Sequence, residues 1–284
     1  MDTRLQTFLT LCETMNYRQA AEKLHMTQPS VTQHIQHLEK DYGCRLFCYD
    51  KRKLTLTPQA EQLREYANLL RYQEKKLRSA LRPSGGQTLQ IGATRTIGEY
   101  VIPKQISRFL QEPENRIEVT ISNTQTILNL LDNGNIDFGI IEGYFNKAKY
   151  GSRLYRQEPF IGFCSKDHPF AHREVALEEI FKEDLVIREH GSGTRNILEQ
   201  LLMKENDSID NFNRITCTNN FGLLEDLVAD NCGVTFAYEA AGIGNSSLAP
   251  FFVKGWEISR AFNYVYFKDS PAEQLVELFD AYRG

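Results

Sequence analysis

The chain has 284 residues, 41% of them hydrophobic, with 33 Lys plus Arg against 37 Asp plus Glu for a formal net charge of −4. That length leaves room for a small domain beside one of ordinary size. Its mild acidity argues against nucleic acid until the charge is divided along the chain: residues 1–82 hold 14 basic against 9 acidic side chains, and residues 83–284 hold 19 against 28. A basic front is thus joined to an acidic body, and only the front is suited to a polyanion.

Met1 is followed at once by charged and amphipathic sequence with no apolar signal core, and no apolar run is long enough to cross a bilayer, so a cytoplasmic protein is expected. Cys12, Cys44, Cys48, Cys164, Cys217 and Cys232 show no CxxC spacing. In a reducing compartment they read as small apolar residues.

In chain order, Ala20, Ala21 and Leu24 share one face of a short helix, and His25, Met26 and Thr27 break it. Thr27 is a good N-cap for a second helix, and Pro29 suits a first turn whose N–H groups lack intrahelical partners. Val31, Ile35 and Leu38 form its buried stripe, leaving Pro29, Gln33, Gln36 and Lys40 on the other side. Short polar groups at its start, Thr27, Gln28, Ser30 and Thr32, suit a helix entering a major groove end-on, with Gln28 and Gln33 the best readers of base edges. Arg18 joins these as a contact candidate. A surface helix whose glutamines merely face water would share the pattern. The next segment favours DNA: Leu46 and Phe47 plug a core, and Lys51, Arg52 and Lys53 precede the alternating Leu54, Thr55, Leu56, Thr57. That is a strand pair with a cationic tip for phosphates or a narrow minor groove. His34 and His37 have a spacing a metal could use, but with no further ligands nearby, they and His25 are expected to face solvent. No metal or cofactor is expected.

Pro58 opens a run rich in helix formers in which Leu63, Ala67, Leu70, Leu77 and Leu81 recur at spacings of four and three, with Glu74 where an apolar residue is due. A second copy packing along this seam would give a dimer; packing on its own body is the alternative. Pro83, Ser84, Gly85 and Gly86 read as a hinge.

The body contains a cryptic duplication. Thr94-Arg95-Thr96-Ile97 recurs as Thr194-Arg195-Asn196-Ile197, each after an expected strand and opening a helix, and ISNTQTILNLLDNGNIDFGII resembles CTNNFGLLEDLVADNCGVTFAY, with Asn123 matched to Asn219 and Gly134 to Gly233. Two similar α/β lobes follow. In open α/β sheets, ligands lie beyond the carboxyl ends of strands, where helix N-termini present free N–H groups. A small anion is the expected guest, gripped by Arg95 or Arg195 with Thr94, Thr96, Ser192 and Thr194 as neutral donors. Arg195 in a salt bridge, with the threonines acting as caps, is the competing reading. Asn123 and Glu142 are weaker candidates, and a buried Glu142 would favour a guest with some positive or hydroxyl character. An enzyme is not expected: His190 and Ser192 are neighbours without a nucleophile elbow, HGSGTR lacks the ending of a phosphate-cradling loop, and no HExxH occurs. A solute receptor would need an export signal and no DNA-binding head.

AAEKLHMTQPSVTQHIQHLEKDYGCRLF followed by LTLTPQAEQL resembles the LysR-type transcriptional regulators, and the likeness runs through nearly the whole chain. One departure is visible, since many relatives have arginine where Tyr49 stands, two places after the Leu-Phe pair. The resemblance implies a multidomain protein: a winged helix-turn-helix DNA-binding domain over 1–57, a linker helix and hinge over 58–86, and a two-lobed effector domain of the type 2 periplasmic-binding-protein fold. Its lobe I is expected at 87–158 plus 268–284 and its lobe II at 159–267, with crossovers near Glu158 and Phe267. It also implies that the loop after the first lobe's first strand and the opening of the second lobe line the effector cleft. Expected partners are an operator with an imperfect inverted repeat, a small anionic effector, a second copy or four in all (homodimer or homotetramer), and RNA polymerase at the promoter. Peroxide-sensing members carry a cysteine in the segment that here reads HGSGTRN, where Gly193 and its neighbours stand, so a redox-responsive or effector-independent regulator is the alternative. TRTIGEYVIP is similar to the same segment in regulators of sulfur assimilation and carbon fixation.

Overall fold

The computed structural model describes every residue except 52, 82–85, 243, 269 and 284, with the side chains of 79 and 80 also set aside. Its N-terminal unit packs α1 (Thr3–Thr14), α2 (Tyr17–Lys23) and α3 (Gln28–Tyr42) around Phe8, Leu11, Ala20, Val31, Ile35 and Leu46. Local chemistry sets each boundary. Asn16 and Thr27 cap α2 and α3 through their side chains, and Gly43 ends α3 in the left-handed conformation at φ +66. β1 (Phe47–Asp50) and β2 (Lys53–Leu56) then pair antiparallel, Asp50 opposite Lys53, with Lys51 at φ +44 in the turn.

α4 (Pro58–Ala80) is 23 residues long, about 34 Å at 1.5 Å per residue. Its apolar seam divides. Leu63 and Ala67 pack on the DNA-binding unit, whereas Leu70, Leu77 and Leu81 are 49%, 60% and 75% exposed. Glu74, at the interruption, accepts from the Met1 amino group at 2.5 Å and from Arg78 at 2.9 Å.

The body begins with β3 (Thr88–Thr94), a helical turn whose π-type part covers Ile97–Val101, α5 (Pro103–Phe109), β4 (Arg116–Ser122), α6 (Thr124–Asp132) and β5 (Phe138–Glu142). β4, β3 and β5 are parallel neighbours, as a strand-helix-strand succession requires. β6 (Tyr150–Ser165) then runs through both lobes. The second lobe follows with β7 (Glu174–Val175), α7 (Leu177–Ile180), β8 (Asp184–Arg188), α8 (Gly193–Lys204), β9 (Arg214–Thr218), α9 (Phe221–Ala229), β10 (Thr235–Tyr238), α10 (Glu239–Gly242) and β11 (Leu248–Val253). β12 (Ser259–Phe267) and α11 (Ala272–Asp280) close the chain.

β6 pairs with β12 up to Pro159, with β10 from Phe160 and with β11 from Gly162, so its partners change beside Glu158. The return does not fall near Phe267. β12 hydrogen-bonds along its length with β6 and β5 of the first lobe, so the chain has already come back before Ser259. The duplication is real but its register is not the expected one. Asn220, not Asn219, caps α9 as Asn123 caps α6, and Asn231 at φ +60, not Gly233, takes the left-handed place of Gly134 at φ +64. Asparagine tolerates that conformation, so the glycine pattern misleads.

The linker helix is fastened to the first lobe. Tyr72 is buried in the large core against Phe267, and Lys76 Nζ sits 2.6 Å from buried Asp137, whose other oxygen accepts from the Gln90 N–H at 2.8 Å. Arg71 donates to the Asn133 carbonyl at 2.7 Å, just beyond the end of α6.

Candidate functional site: a helix-turn-helix head and an interlobe cleft

On the head, α3 turns Val31, Ile35 and Leu38 inward, so Gln28, Pro29, Gln33, Gln36 and Lys40 are left in solvent on one face. Thr27 spends its hydroxyl oxygen on the cap, 3.3 Å from the Ser30 N–H and 2.8 Å from its Oγ, and Thr32 donates back to the Gln28 carbonyl at 3.1 Å. These short side chains therefore stiffen the start of the helix, and the glutamines are left to reach outward. Lys51 and Lys53 are exposed at the hairpin tip with Tyr49 beside them; Arg52, expected there too, lies outside the described residues. Arg18 is exposed and ion-pairs with Glu22 at 3.1 Å. His34 departs from the expectation of a solvated ring: its Nδ1 is 2.9 Å from Thr7 Oγ1 and ties α3 to α1.

Between the lobes lies a cleft of about 1380 Å³. Thr94, Arg95, Thr96, Asn123 and Glu142 line it from one side, and Ser192 and Thr194 from the other. The strands of both lobes run toward it, which brings the starts of α6 and α8 to its walls. α6 is capped by Asn123, whose Oδ1 accepts from the Thr126 N–H at 2.8 Å. α8 has no side-chain cap, because Ser192 Oγ is engaged with Thr194 Oγ1 at 2.9 Å. Its first N–H groups, with the positive end of the helix dipole, are thus left for a guest.

Arg195 does not line the cleft. It is 6% exposed and turns into the second lobe, donating to Glu199 at 2.7 Å and to the Arg188 carbonyl at 3.2 Å, with Nη2 3.0 Å from His190 Nε2. Its buried guanidinium has five donors, and with Cys217 Sγ at 3.8 Å local acceptors already take four of them. Arg95 stays in the cleft wall and donates to the Asn219 carbonyl of the opposite lobe at 3.1 Å. Arg260, which sequence reasoning missed, enters the cleft from the hinge strand β12 and makes no hydrogen bond or ion pair to any described residue. Only the strand pairing reveals it: Phe262 lies opposite Glu142, which sets Arg260 two residues beyond the end of β5. Arg188, also missed, is paired by bidentate contact with Glu189 at 2.7 and 2.9 Å, and that contact holds the Glu189 carboxyl below its usual range.

Glu142 and Glu189 are the acidic side chains in the lining, and Glu189 is taken by Arg188. Burial pushes the Glu142 carboxyl up to about 7, partly opposed by the Thr94 hydroxyl donating to Oε2 at 2.5 Å. Thr96 is 3% exposed, and its hydroxyl, in the cleft wall, meets no described partner. Among the described residues, no nucleophile and base come together here. His190 faces Arg195, and Ser192 faces Thr194.

Residues 83–282 match the family described as LysR substrate binding domain, and residues 3–61 match the bacterial regulatory helix-turn-helix proteins of the lysR family. The chain belongs to the LysR family. It is 30% identical over 230 residues to the HTH-type transcriptional regulator CysL of Bacillus subtilis, covering 79% of this chain and 76% of that one. Full-length OxyR from Pseudomonas aeruginosa superposes with a TM-score of 0.70 at 21% identity, over 100% of this chain and 94% of that one. The Synechocystis CcmR regulatory domain in complex with 2-PG gives 0.59 at 16% identity, over 69% and 96%. The protein is therefore a LysR-type transcriptional regulator, with a DNA-binding helix-turn-helix head and a two-lobed effector-binding body. Among the described residues, no helix of this LysR protein is long and apolar enough to cross a membrane.

Proposed function

We propose that this regulator works in the cytoplasm as a homodimer or homotetramer in which a small anion between the lobes resets the spacing of the DNA-binding heads. The observation that carries the anion is the uncapped start of α8 opening into the cleft that Thr96 and Arg260 also line, Arg260 without a partner among the described residues. A helix N-terminus with a guanidinium and hydroxyls nearby favours a carboxylate, phosphate or sulfate group. Ser192, Thr194, Thr94, Asn123 and Arg95 complete the wall, and Arg260 takes the role that Arg195 cannot. The CcmR domain of the same fold, solved with 2-PG, agrees with a small-molecule guest in such a body.

On the DNA side, α3 enters the major groove with Gln28 and Gln33 toward base edges and Gln36 beside them, while Lys51, Lys53, Arg18 and the cap residues Thr27, Pro29, Ser30 and Thr32 meet the phosphates. A two-fold pair of heads requires an imperfect inverted repeat in the operator. RNA polymerase is the further partner at the promoter. The head is proposed to span 1–57 and the linker 58–86, and the lobes divide near Glu158 and again before Ser259. Calorimetric titration of the full chain with phosphate, sulfate, acetate and glycolate, repeated on Arg260→Ala, tests the cleft. The substitution is expected to remove anion binding and leave operator binding intact; anion binding that survives it would put the pocket elsewhere.

A further inference from the structure

We infer that Glu142 is a specificity-determining residue, and that the effector is an anion which also carries an O–H group, such as a hydroxy acid or a hydrogen-bearing oxyanion, donated to the Glu142 carboxylate. This deepens the cleft reading and rests on it.

The groups around the cleft ask for different things. The uncapped backbone N–H groups of α8, the Thr96 hydroxyl and the Arg260 guanidinium are donors. Glu142, at the end of β5, offers an acceptor. Thr94 gives its hydroxyl hydrogen to Glu142 Oε2, and Thr124 gives its own to the Glu142 carbonyl at 3.0 Å. Neither threonine then has a hydrogen left for a guest. Glu142 Oε1 makes no hydrogen bond to a described residue, and it lies 3.9 Å from the position a Cβ would take on Gly193, the first residue of α8. Glycine keeps that gap clear, so one small molecule reaches both the helix end and the carboxylate. When Glu142 is ionised, a fully deprotonated oxyanion there would set its charge and lone pairs against a carboxylate in a partly buried wall. An anion with an O–H converts the same contact into a charge-assisted hydrogen bond.

Paired probes that differ chiefly in an available O–H decide the matter: inorganic phosphate, which keeps a proton near neutral pH, against sulfate, and glycolate against acetate. Titration calorimetry on the wild-type chain at pH 8, above the Glu142 value of about 7, is expected to favour phosphate and glycolate over their counterparts roughly tenfold or more. Glu142→Gln, whose amide also donates, should shrink or reverse the preference, while Arg260→Ala should weaken both members of a pair alike. Equal binding of both members that Arg260→Ala still abolishes would overturn the donor requirement and leave the cleft reading standing. Binding of no probe at millimolar concentration would overturn both. Should Glu142→Gln fail to fold, the wild-type ratio within each pair is sufficient by itself: a ratio near one overturns the donor requirement.

Discussion

Lys149 Nζ lies 3.0 Å from Glu65 Oε1, so the loop that walls the effector cleft also grips the linker helix. Tyr144, Phe145, Asn146, Lys147 and Ala148 line the cleft, and the next residue is this lysine. Its ammonium also holds Asp132 at 2.9 Å, at the far end of α6, whose opening lines the cleft as well. Two elements thus run from the cleft to α4. A guest that moves either one acts on the helix carrying the heads, provided it prefers one arrangement over the other. Lys149→Met should change stability by less than about 1 kcal/mol, since the pair is partly exposed. It should nevertheless blunt the effect of the cleft anion on operator affinity, read by fluorescence anisotropy with and without anion. An undiminished effect would exclude this joint.

The deeper fastening is Lys76 with Asp137. Removing the carboxylate by Asp137→Ala leaves an ammonium with little solvent and a Gln90 N–H without its acceptor. A loss of about 3 kcal/mol in urea unfolding is expected. Asp137→Asn should lose less, because the amide oxygen still accepts.

Glu142 ties stability to pH. Its folded value near 7 exceeds the ordinary 4.5, so the native state holds the proton more tightly than the unfolded chain does. The stabilisation is complete below about 4.5 and is lost as pH rises through 7, a total of order 3 kcal/mol. Glu142→Gln cannot lose a proton. Compared with wild type in the absence of anions, the variant should gain ground between pH 5 and pH 8 in chemical denaturation; parallel curves would show that Glu142 titrates normally.

Leu70 and Leu77 lie exposed along the free half of α4 and Leu81 just past its end, with Tyr66 exposed at 66% on the same helix. A second α4 covering them is the expected use of such a stripe. Leu70→Glu with Leu77→Glu should give folded monomers by sedimentation velocity, with operator affinity sharply reduced. Unchanged oligomers would place the subunit contact on the body.

Much of this arrangement is legible in the residues. Thr27, Pro29 and the Val31, Ile35, Leu38 stripe define α3 because capping and helical period are local properties, and Leu54 to Thr57 announce a strand by alternation. What stays hidden depends on distant chain. Arg195 and Arg260 look alike as sequence, and only packing decides that Glu199 and the Arg188 carbonyl absorb the first while the second stands in the cleft. The second crossover escapes because pairing of β12 with β5 and β6 is non-local, and Asn231 hides the repeat's register by doing a glycine's work. The α4 seam reads as one surface, yet Ala67 is buried in the head and Leu77 is not.

Occupation of the cleft is held to alter what the heads do on DNA. The most direct measurement is fluorescence anisotropy of a labelled duplex from the gene's own upstream region, titrated with full-length protein with and without the best-binding small anion. Wild type should bind with a steep salt dependence. Its affinity should shift by about fivefold or more with anion, and Arg260→Ala should bind the duplex without that shift. A wild-type protein that ignores the duplex, or binds it identically at every anion concentration, would contradict the account.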